Sequence, residues 1–256
     1  MNIYAELISI GNELLNGRTL NTHAKDLGGE LYVIGLQLMR DTTIPDDPAI
    51  IQSAVREALA RTDLVFVSGG LGPTLDDITR DALALLLDRK IILDPPSVVA
   101  MAERYAARGR TMTPAAERQA LVLEGASVLP NPVGAAPGQR IDLPENKALF
   151  ILPGPPLEFN AILKETILPW LKIRHADARP KLVRIVQTKG VGESDIVTLL
   201  EAANFQPTDI DLGFYPGMGK VEIRLVAHPD FETEIETARQ TLNTLLNEFL
   251  DTTPNA

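Results

Sequence analysis

Three glycines and three aspartates lie close together in the stretch SGGLGPTLDDITRD, residues 68–81. Glycines at the end of a strand let backbone N–H groups approach a phosphate, and the N-terminus of a following helix adds a positive dipole end. Aspartates beside such a loop repel a phosphate unless a cation lies between them. Mg²⁺ binds one or two carboxylates and keeps its other positions for water or phosphate oxygens. The stretch therefore suggests half of a metal–phosphate site.

The same stretch also fits a plain strand-to-helix turn, in which Asp76 and Asp77 act only as partners of the helix dipole. No Lys-Ser/Thr pair follows the glycines, so the pattern is not a Walker A loop, and it is not the dinucleotide-binding fingerprint either. We expect Arg80 to form an exposed ion pair with Asp76 or Asp77 rather than to contact a phosphate.

The order of strands and helices predicts where this loop lies. Strands are expected in AELISI, LQLMRDTTIP, DLVFVSGG and ALFILPG, with helices between them. In the helix over DDITRDALALLLD, we expect four residues on the buried side: Ile78, Ala82, Leu85 and Leu86. This alternation predicts an α/β fold, a three-layer α/β/α sandwich with a mostly parallel sheet. Ligands of such sheets bind beyond the C-terminal ends of the strands.

Further polar residues follow the other strands and are expected to reach the same cleft. Gly11, Asn12 and Glu13 follow the first strand, and Asp46 follows the second. Glu158 comes after the Pro-Gly turn of PGPPLE. Glu13 and Glu158 also fit a simpler role as acidic residues at helix starts.

Other kinds of catalytic site find little support. The chain has no cysteine, and its histidines at 23, 175 and 228 lie in unrelated contexts, so neither thiolate chemistry nor a histidine metal site is expected. Ser68 precedes the glycines without an evident base nearby in the sequence. Covalent nucleophilic catalysis is therefore not expected.

The polar segment HADARPK is a candidate domain boundary. It divides the chain into an α/β domain of residues 1–174 and a small α+β domain of residues 175–256. In the latter, LGFYP and KVEIRLVAH flank GMG as an expected hairpin, and the last helix repeats apolar residues along one face.

Composition limits the partners. The chain has 256 residues, 45% of them hydrophobic, and a formal charge of −10 without Lys/Arg runs, which argues against nucleic-acid or anionic-membrane binding. Its first residues lack the pattern of a signal peptide, and no apolar run approaches the ~18 residues of a membrane helix. A cytoplasmic enzyme or binding protein is expected.

Five motifs together resemble the competence/damage-inducible protein A (CinA) family, whose N-terminal module is related to molybdopterin-binding proteins. They are GNELLNG, TIPDDPAII, SGGLGPTLDDITRDAL, NPVGAAPG and LPGPPLEF. The small domain, with KGVGESDIVTLL, resembles the KH-like second domain of that family. GMGK is not the GXXG motif with which KH domains clamp nucleic acid. We therefore expect the small domain to serve packing or dimerisation and not to bind nucleic acid.

The resemblance implies a metal-dependent ADP-ribose pyrophosphatase, with Asp46 and Asp77 at the catalytic and metal-binding positions and Glu158 as a further metal ligand. Asn12 departs from the aspartate usual in the family, which weakens a ligand role there. The family's C-terminal deamidase domain has no counterpart in this sequence, so deamidase activity is not expected.

The resulting hypothesis is a Mg²⁺- or Co²⁺-dependent hydrolase of a nucleotide phosphoanhydride, acting as a homodimer. The alternatives are a molybdopterin or nucleotide binding protein without turnover, and a molybdopterin adenylyltransferase-like enzyme. The residues predicted to contact substrate phosphates are Gly11, Asn12, Glu13, Gly69, Gly70, Leu71, Gly72, Pro73, Thr74 and Gly154.

Overall fold

The computed structural model describes residues 3–251, which form two compact units. Among the described residues, one unit comprises residues 3–32 and 36–178, and the other comprises residues 33–35 and 179–251. The boundary expected from the sequence lies between residues 174 and 175.

The larger unit is built on a six-stranded sheet in the order β2-β1-β3-β8-β7-β6. Its strands are β1 Tyr4–Ile10, β2 Gln37–Ile44, β3 Leu64–Ser68, β6 Ser127–Leu129, β7 Gly138–Leu143 and β8 Lys147–Leu152. The pairs β1–β2, β1–β3 and β3–β8 are parallel, whereas β7 pairs antiparallel with both β8 and β6. A separate two-stranded ribbon pairs β4 Ile91–Leu93 with β5 Leu121–Leu123. The expected α/β fold with a mostly parallel sheet is confirmed, and the antiparallel edge is an addition that the sequence had not indicated.

Helices cover both faces of the sheet. They are α1 Asn12–Leu15, α2 His23–Val33, α3 Pro48–Arg61, α4 Thr79–Leu87, α5 Pro95–Ala107, α6 Pro114–Glu117, α7 Pro156–Ile162 and α8 Leu168–Arg174. Because side chains alternate along a strand, Val65 and Val67 pack with α3 and α4 on one face. Phe66 and Phe150 point to the opposite face, where their rings stack with centroids 4.7 Å apart and Trp170 of α8 meets Phe150 edge-on. The arrangement has three layers.

The parallel half of the sheet positions the site. Because β1, β2, β3 and β8 run in the same direction, their C-terminal ends meet at one edge of the sheet. The segments that leave this edge begin at Gly11, Pro45, Gly69 and Pro153. These are the loops that the sequence had suggested would converge.

Helix α4 and its N-terminal cap pack three of the four expected residues, Ile78, Ala82 and Leu86, against the core. The helix begins at Thr79, and its buried residues Thr79, Ala82 and Leu83 follow the i, i+3, i+4 spacing, with Arg80 and Ala84 also buried beside them. Leu85 lies outside this face and is 75% exposed, so the expectation that Leu85 faces the core is wrong. The expected set had been counted from Ile78, which precedes the helix, whereas the buried positions are counted from Thr79.

The smaller unit contains a three-stranded antiparallel sheet in the order β10-β11-β9. Its elements are β9 Leu182–Lys189, α9 Glu193–Ala202, β10 Ile210–Gly217, β11 Lys220–Ala227 and α10 Glu232–Leu245. The hairpin around GMG is present, with Gly217 paired to Lys220. Helix α10 buries Ile235, Ala238 and Leu242 against this sheet.

The face of α4 can be tested by two leucine truncations on the same helix. We expect Leu83→Ala to lower the free energy of unfolding by about 2–5 kcal/mol, because Leu83 is fully buried and its removal leaves a cavity. Leu85→Ala should change that free energy by less than about 0.5 kcal/mol. Urea unfolding of both variants checks this, and a larger loss for Leu85→Ala would refute the assigned face.

Candidate functional site

The loops at the C-terminal edge of the sheet enclose a cavity of about 480 Å³. Most of the residues predicted to form the site line it: Gly11, Glu13, Asp46, Gly69, Gly70, Leu71, Gly72, Pro73, Asp77, Gly154 and Glu158. Asn12 and Thr74 are not among the lining residues. Five acidic residues line this one cavity, so its wall is strongly acidic: Glu13, Asp46, Asp76, Asp77 and Glu158.

Asp77 holds the glycine loop in place. Its Oδ1 accepts a hydrogen bond from the N–H of Gly72 at 2.7 Å, and its Oδ2 accepts from the N–H of Thr74 at 2.8 Å. The Thr74 hydroxyl lies 2.5 Å from the same Oδ2. Helix α4 begins only at Thr79, so Asp77 precedes the helix and binds the loop rather than the helix terminus that the sequence had suggested.

Asp76 is exposed, and its side chain contacts the loop at Thr74. The Thr74 hydroxyl donates to Asp76 Oδ1, and this hydrogen bond, followed by the backbone N–H of Asp76, lowers the pKa of the Asp76 carboxyl. Asp76 therefore remains ionised at neutral pH and adds to the negative charge of the cavity.

Arg80 binds the carbonyl oxygens of the same loop from its buried side. It is only 5% exposed and donates to the carbonyl oxygens of Leu71 at 2.9 Å and Gly72 at 3.2 Å. Burial lowers the pKa of its guanidinium, an effect opposed by the nearby charges of Asp77 and Asp81. The expected exposed ion pair of Arg80 is therefore wrong: the side chain is buried because the loop supplies carbonyl acceptors for it.

Asp77 accepts from only two of the N–H groups in the glycine loop, those of Gly72 and Thr74. Within the part of the chain that the structure describes, the backbone N–H groups of Gly70, Leu71 and Gly154 have no hydrogen-bond acceptor. All three residues line the cavity. Unpaired N–H groups at a glycine turn form an anion-binding concavity.

Gly69 permits the close approach of two strand ends. Its φ of 107° lies in the region that favours glycine, and a Cβ there would overlap the carbonyl oxygen of Ile10. On the other side, the Gly69 Cα packs against Gly154, where a Cβ would lie 3.4 Å away. The two glycines bring the ends of β1, β3 and β8 together beneath the cavity.

The Asp46 side chain, which follows β2, forms a hydrogen bond with the segment that follows β1. Its Oδ2 accepts from the backbone N–H of Asn12 at 2.8 Å, while Asp47 next to it caps helix α3. Asn12 therefore contributes its backbone to the site. The Glu13 carboxylate lies over Gly11, in the space that a side chain at that position would occupy.

Glu158 is held by a buried asparagine. Asn131, 5% exposed, donates from Nδ2 to Glu158 Oε2 at 2.6 Å and to the carbonyl of Ala136 at 2.8 Å. Its Oδ1 accepts from the N–H groups of Val133 and Gly134. Arg104 of α5 binds the carbonyl oxygens of Asn131 and Gly134, so the loop of residues 131–137 is fixed from two sides.

These carboxylates can bind a cation only if the bound substrate supplies some of the coordinating oxygens. Among residues 3–251, no three acidic or histidine side chains are grouped closely enough to hold a metal ion by themselves. Asp46 uses one oxygen on Asn12, and Glu158 uses one on Asn131, so each retains a free oxygen. This donor set suits Mg²⁺ bound by one or two carboxylates and by ligand phosphates.

A histidine lies next to Ser68, contrary to the expectation from the sequence. His23 Nδ1 is 3.1 Å from Ser68 Oγ, and Ser68 Oγ donates to the carbonyl of Pro153 at 3.2 Å. Burial lowers the pKa of His23, whose ring stacks on Phe159. Ser68 is 1% exposed and does not line the cavity, so this pair fixes the Pro153 turn and offers no accessible nucleophile.

Sequence reasoning missed several residues of the site. Thr19 and Gln119 line the cavity, and Asn131, Arg104 and Arg118 hold its loops. The asparagine begins the motif NPVGAAPG, which could have drawn attention to it. Gln119 lies in a loop-rich region without hydrophobic periodicity, and nothing in the sequence pattern singles it out.

Comparisons with known proteins identify the family to which the chain belongs. Residues 6–173 match the family model MoCF_biosynth, described as "Probable molybdopterin binding domain". A CinA-like protein of Deinococcus deserti is 36% identical over 250 residues, covering 98% of this chain and 60% of that protein. A CinA-like protein of Chlorobaculum tepidum is 37% identical over 229 residues, covering 86% of this chain and 52% of that protein.

A solved structure extends the similarity to three dimensions. The crystal structure of CinA from Thermoplasma acidophilum, described as of unknown function, is 38% identical with a TM-score of 0.57. The match covers 64% of this chain and 95% of that one. The chain thus belongs to the family of molybdopterin-binding domains and, within it, to the CinA-like proteins. It spans little more than half the length of the two curated relatives.

No helix within residues 3–251 has the length and apolar character needed to cross a membrane.

Substitutions at Asp77 and at its neighbour Asp76 can test whether Asp77, and not Asp76, stabilises the loop. We expect Asp77→Ala to lower the free energy of unfolding by about 1–3 kcal/mol, because two backbone N–H groups lose their acceptor. Asp76→Ala removes only an exposed contact and should cost less than about 0.5 kcal/mol. Urea unfolding in parallel measures both, and equal small losses would refute the role assigned to Asp77.

Proposed function

We propose that the cavity binds the phosphate groups of a nucleotide and hydrolyses its phosphoanhydride bond with the help of a divalent cation, with ADP-ribose as the substrate to test first. The observation that supports this most is the set of unpaired N–H groups at Gly70, Leu71 and Gly154 beside a wall of carboxylates. Such a cavity suits a phosphate that arrives with a cation, and it disfavours a bare anion.

The glycine loop would bind and orient the phosphates. The N–H groups of Gly70 and Leu71 donate to phosphate oxygens, while Asp77 and Arg80 keep the loop from rearranging. Fixed donors need no reorganisation as charge develops on the phosphoryl oxygens, and phosphoryl transfer depends mainly on such positioning and charge stabilisation.

The acidic residues would hold the cation. Asp46 offers a free oxygen, Asp77 adds its charge while retaining its loop contacts, and Glu158 reaches the same cavity from the first turn of α7. When bound, a divalent cation polarises a phosphoryl oxygen and lowers the pKa of bound water. No serine is among the described residues that line the cavity, which is consistent with direct attack by water.

A matched pair of aspartate variants tests the proposal. We expect purified protein to release AMP from ADP-ribose with Mg²⁺ or Co²⁺, and Asp46→Asn to lower kcat/KM by about 100-fold through loss of a cation ligand. Asp81→Asn, an exposed change on α4 away from the cavity lining, should retain activity. Absence of AMP release from the unmodified protein, or full activity in Asp46→Asn, would contradict the proposal.

The family match over residues 6–173 supports a second candidate, the binding of a molybdopterin-like phosphate without turnover. The same N–H groups would then bind the terminal phosphate of the pterin. A calorimetric panel of molybdopterin and dinucleotides distinguishes the two, because binding of the pterin without hydrolysis of any dinucleotide favours the second. ATP-dependent formation of an adenylylated pterin would instead identify an adenylyltransferase-like enzyme.

A further inference from the structure

Gln119 differs in chemistry from every other residue that lines the cavity. The remaining polar side chains there are the five carboxylates and the Thr19 hydroxyl. Gln119 is therefore the only lining residue, among those the structure describes, whose side chain carries N–H donors. Its amide makes no hydrogen bond with any residue between 3 and 251.

The backbone at Gln119 is fixed on both sides. Arg118 donates from Nη2 to the carbonyl oxygen of Pro73 at 2.6 Å, which attaches this segment to the end of the glycine loop. Ala120 is fully buried, and its carbonyl accepts from the N–H of Asp94 at 3.0 Å. A half-buried amide without a partner is thus held on a rigid turn beside the glycine loop.

The charge of the cavity explains why an amide would serve here. A lysine or arginine at this position would form ion pairs with the nearby carboxylates, and its positive charge would then be less available to the ligand. A neutral amide donates N–H groups to an anionic oxygen without forming such an ion pair. A carboxylate at the same position would instead repel the ligand.

We infer that Gln119 is a specificity-determining residue that donates a hydrogen bond to a phosphate oxygen of the ligand bound on the glycine loop. This inference rests on the proposed function, since it requires a phosphate-bearing ligand in the cavity. It adds a side-chain donor from residues 118–119 to the backbone donors of Gly70 and Leu71. The phosphate would then be contacted from two separate segments of the chain.

Two substitutions at one position distinguish a phosphate from a hydroxyl group as the partner. The full chain is titrated by calorimetry with α,β-methylene-ADP and Mg²⁺, a probe whose phosphates cannot be hydrolysed at the bridging position. We expect Gln119→Ala to raise Kd by about 10-fold through loss of a charge-assisted hydrogen bond. The isosteric Gln119→Glu should raise Kd by about 100-fold, because it adds a like charge next to the phosphate.

The controls separate this inference from the proposal beneath it. Gln240→Glu adds the same charge at an exposed position of the smaller unit and should leave Kd unchanged, and unchanged thermal midpoints show that the variants fold. Unchanged Kd in Gln119→Ala overturns the inference alone. Binding by Gln119→Glu as tight as that of the unmodified chain identifies a hydroxyl partner and overturns the phosphate assignment. Failure of the unmodified chain to bind the probe overturns the proposed function as well.

Discussion

The geometry of the cavity depends on the two-sided fixation of one loop. Asp77 accepts the N–H groups of Gly72 and Thr74, and the buried guanidinium of Arg80 binds the carbonyls of Leu71 and Gly72. Because Asp77 occupies only the N–H donors of Gly72 and Thr74, the N–H groups of Gly70 and Leu71 remain without acceptors in the described part of the chain. The residue that the family resemblance marks as catalytic thus also determines the conformation of the loop.

Glycines in this site make room for carboxylates as well as for a ligand. The carboxylates of Glu13, Asp77 and Glu158 occupy the positions where side chains at Gly11, Gly72 and Gly134 would lie. Acidic groups packed against the backbone lose few conformations when a ligand binds, which favours a preorganised site. Their combined negative charge also means that an anionic ligand requires a cation or neutral donors such as the amide of Gln119.

The sequence predicted those parts of the molecule that depend on local patterns. Buried apolar runs identified β1, β3 and β8, and the residues after each run were correctly expected at one edge of the sheet. It did not predict contacts between distant segments, since neither the pairing of His23 with Ser68 nor the burial of Arg80 has a local signal. Gln119 was missed for the same reason, because its position depends on the contact of Arg118 with Pro73.

The most direct measurement of the central claim is an amide-resolved titration of the ¹⁵N-labelled chain with inorganic pyrophosphate and Mg²⁺. If the free donors of the glycine loop bind phosphate, the largest changes in amide shift should occur at Gly70, Leu71 and Gly154. The amides of Gly72 and Thr74 should change less, since Asp77 already occupies them. Saturable changes centred outside these loops, or no change at Gly70 and Leu71, would contradict the claim.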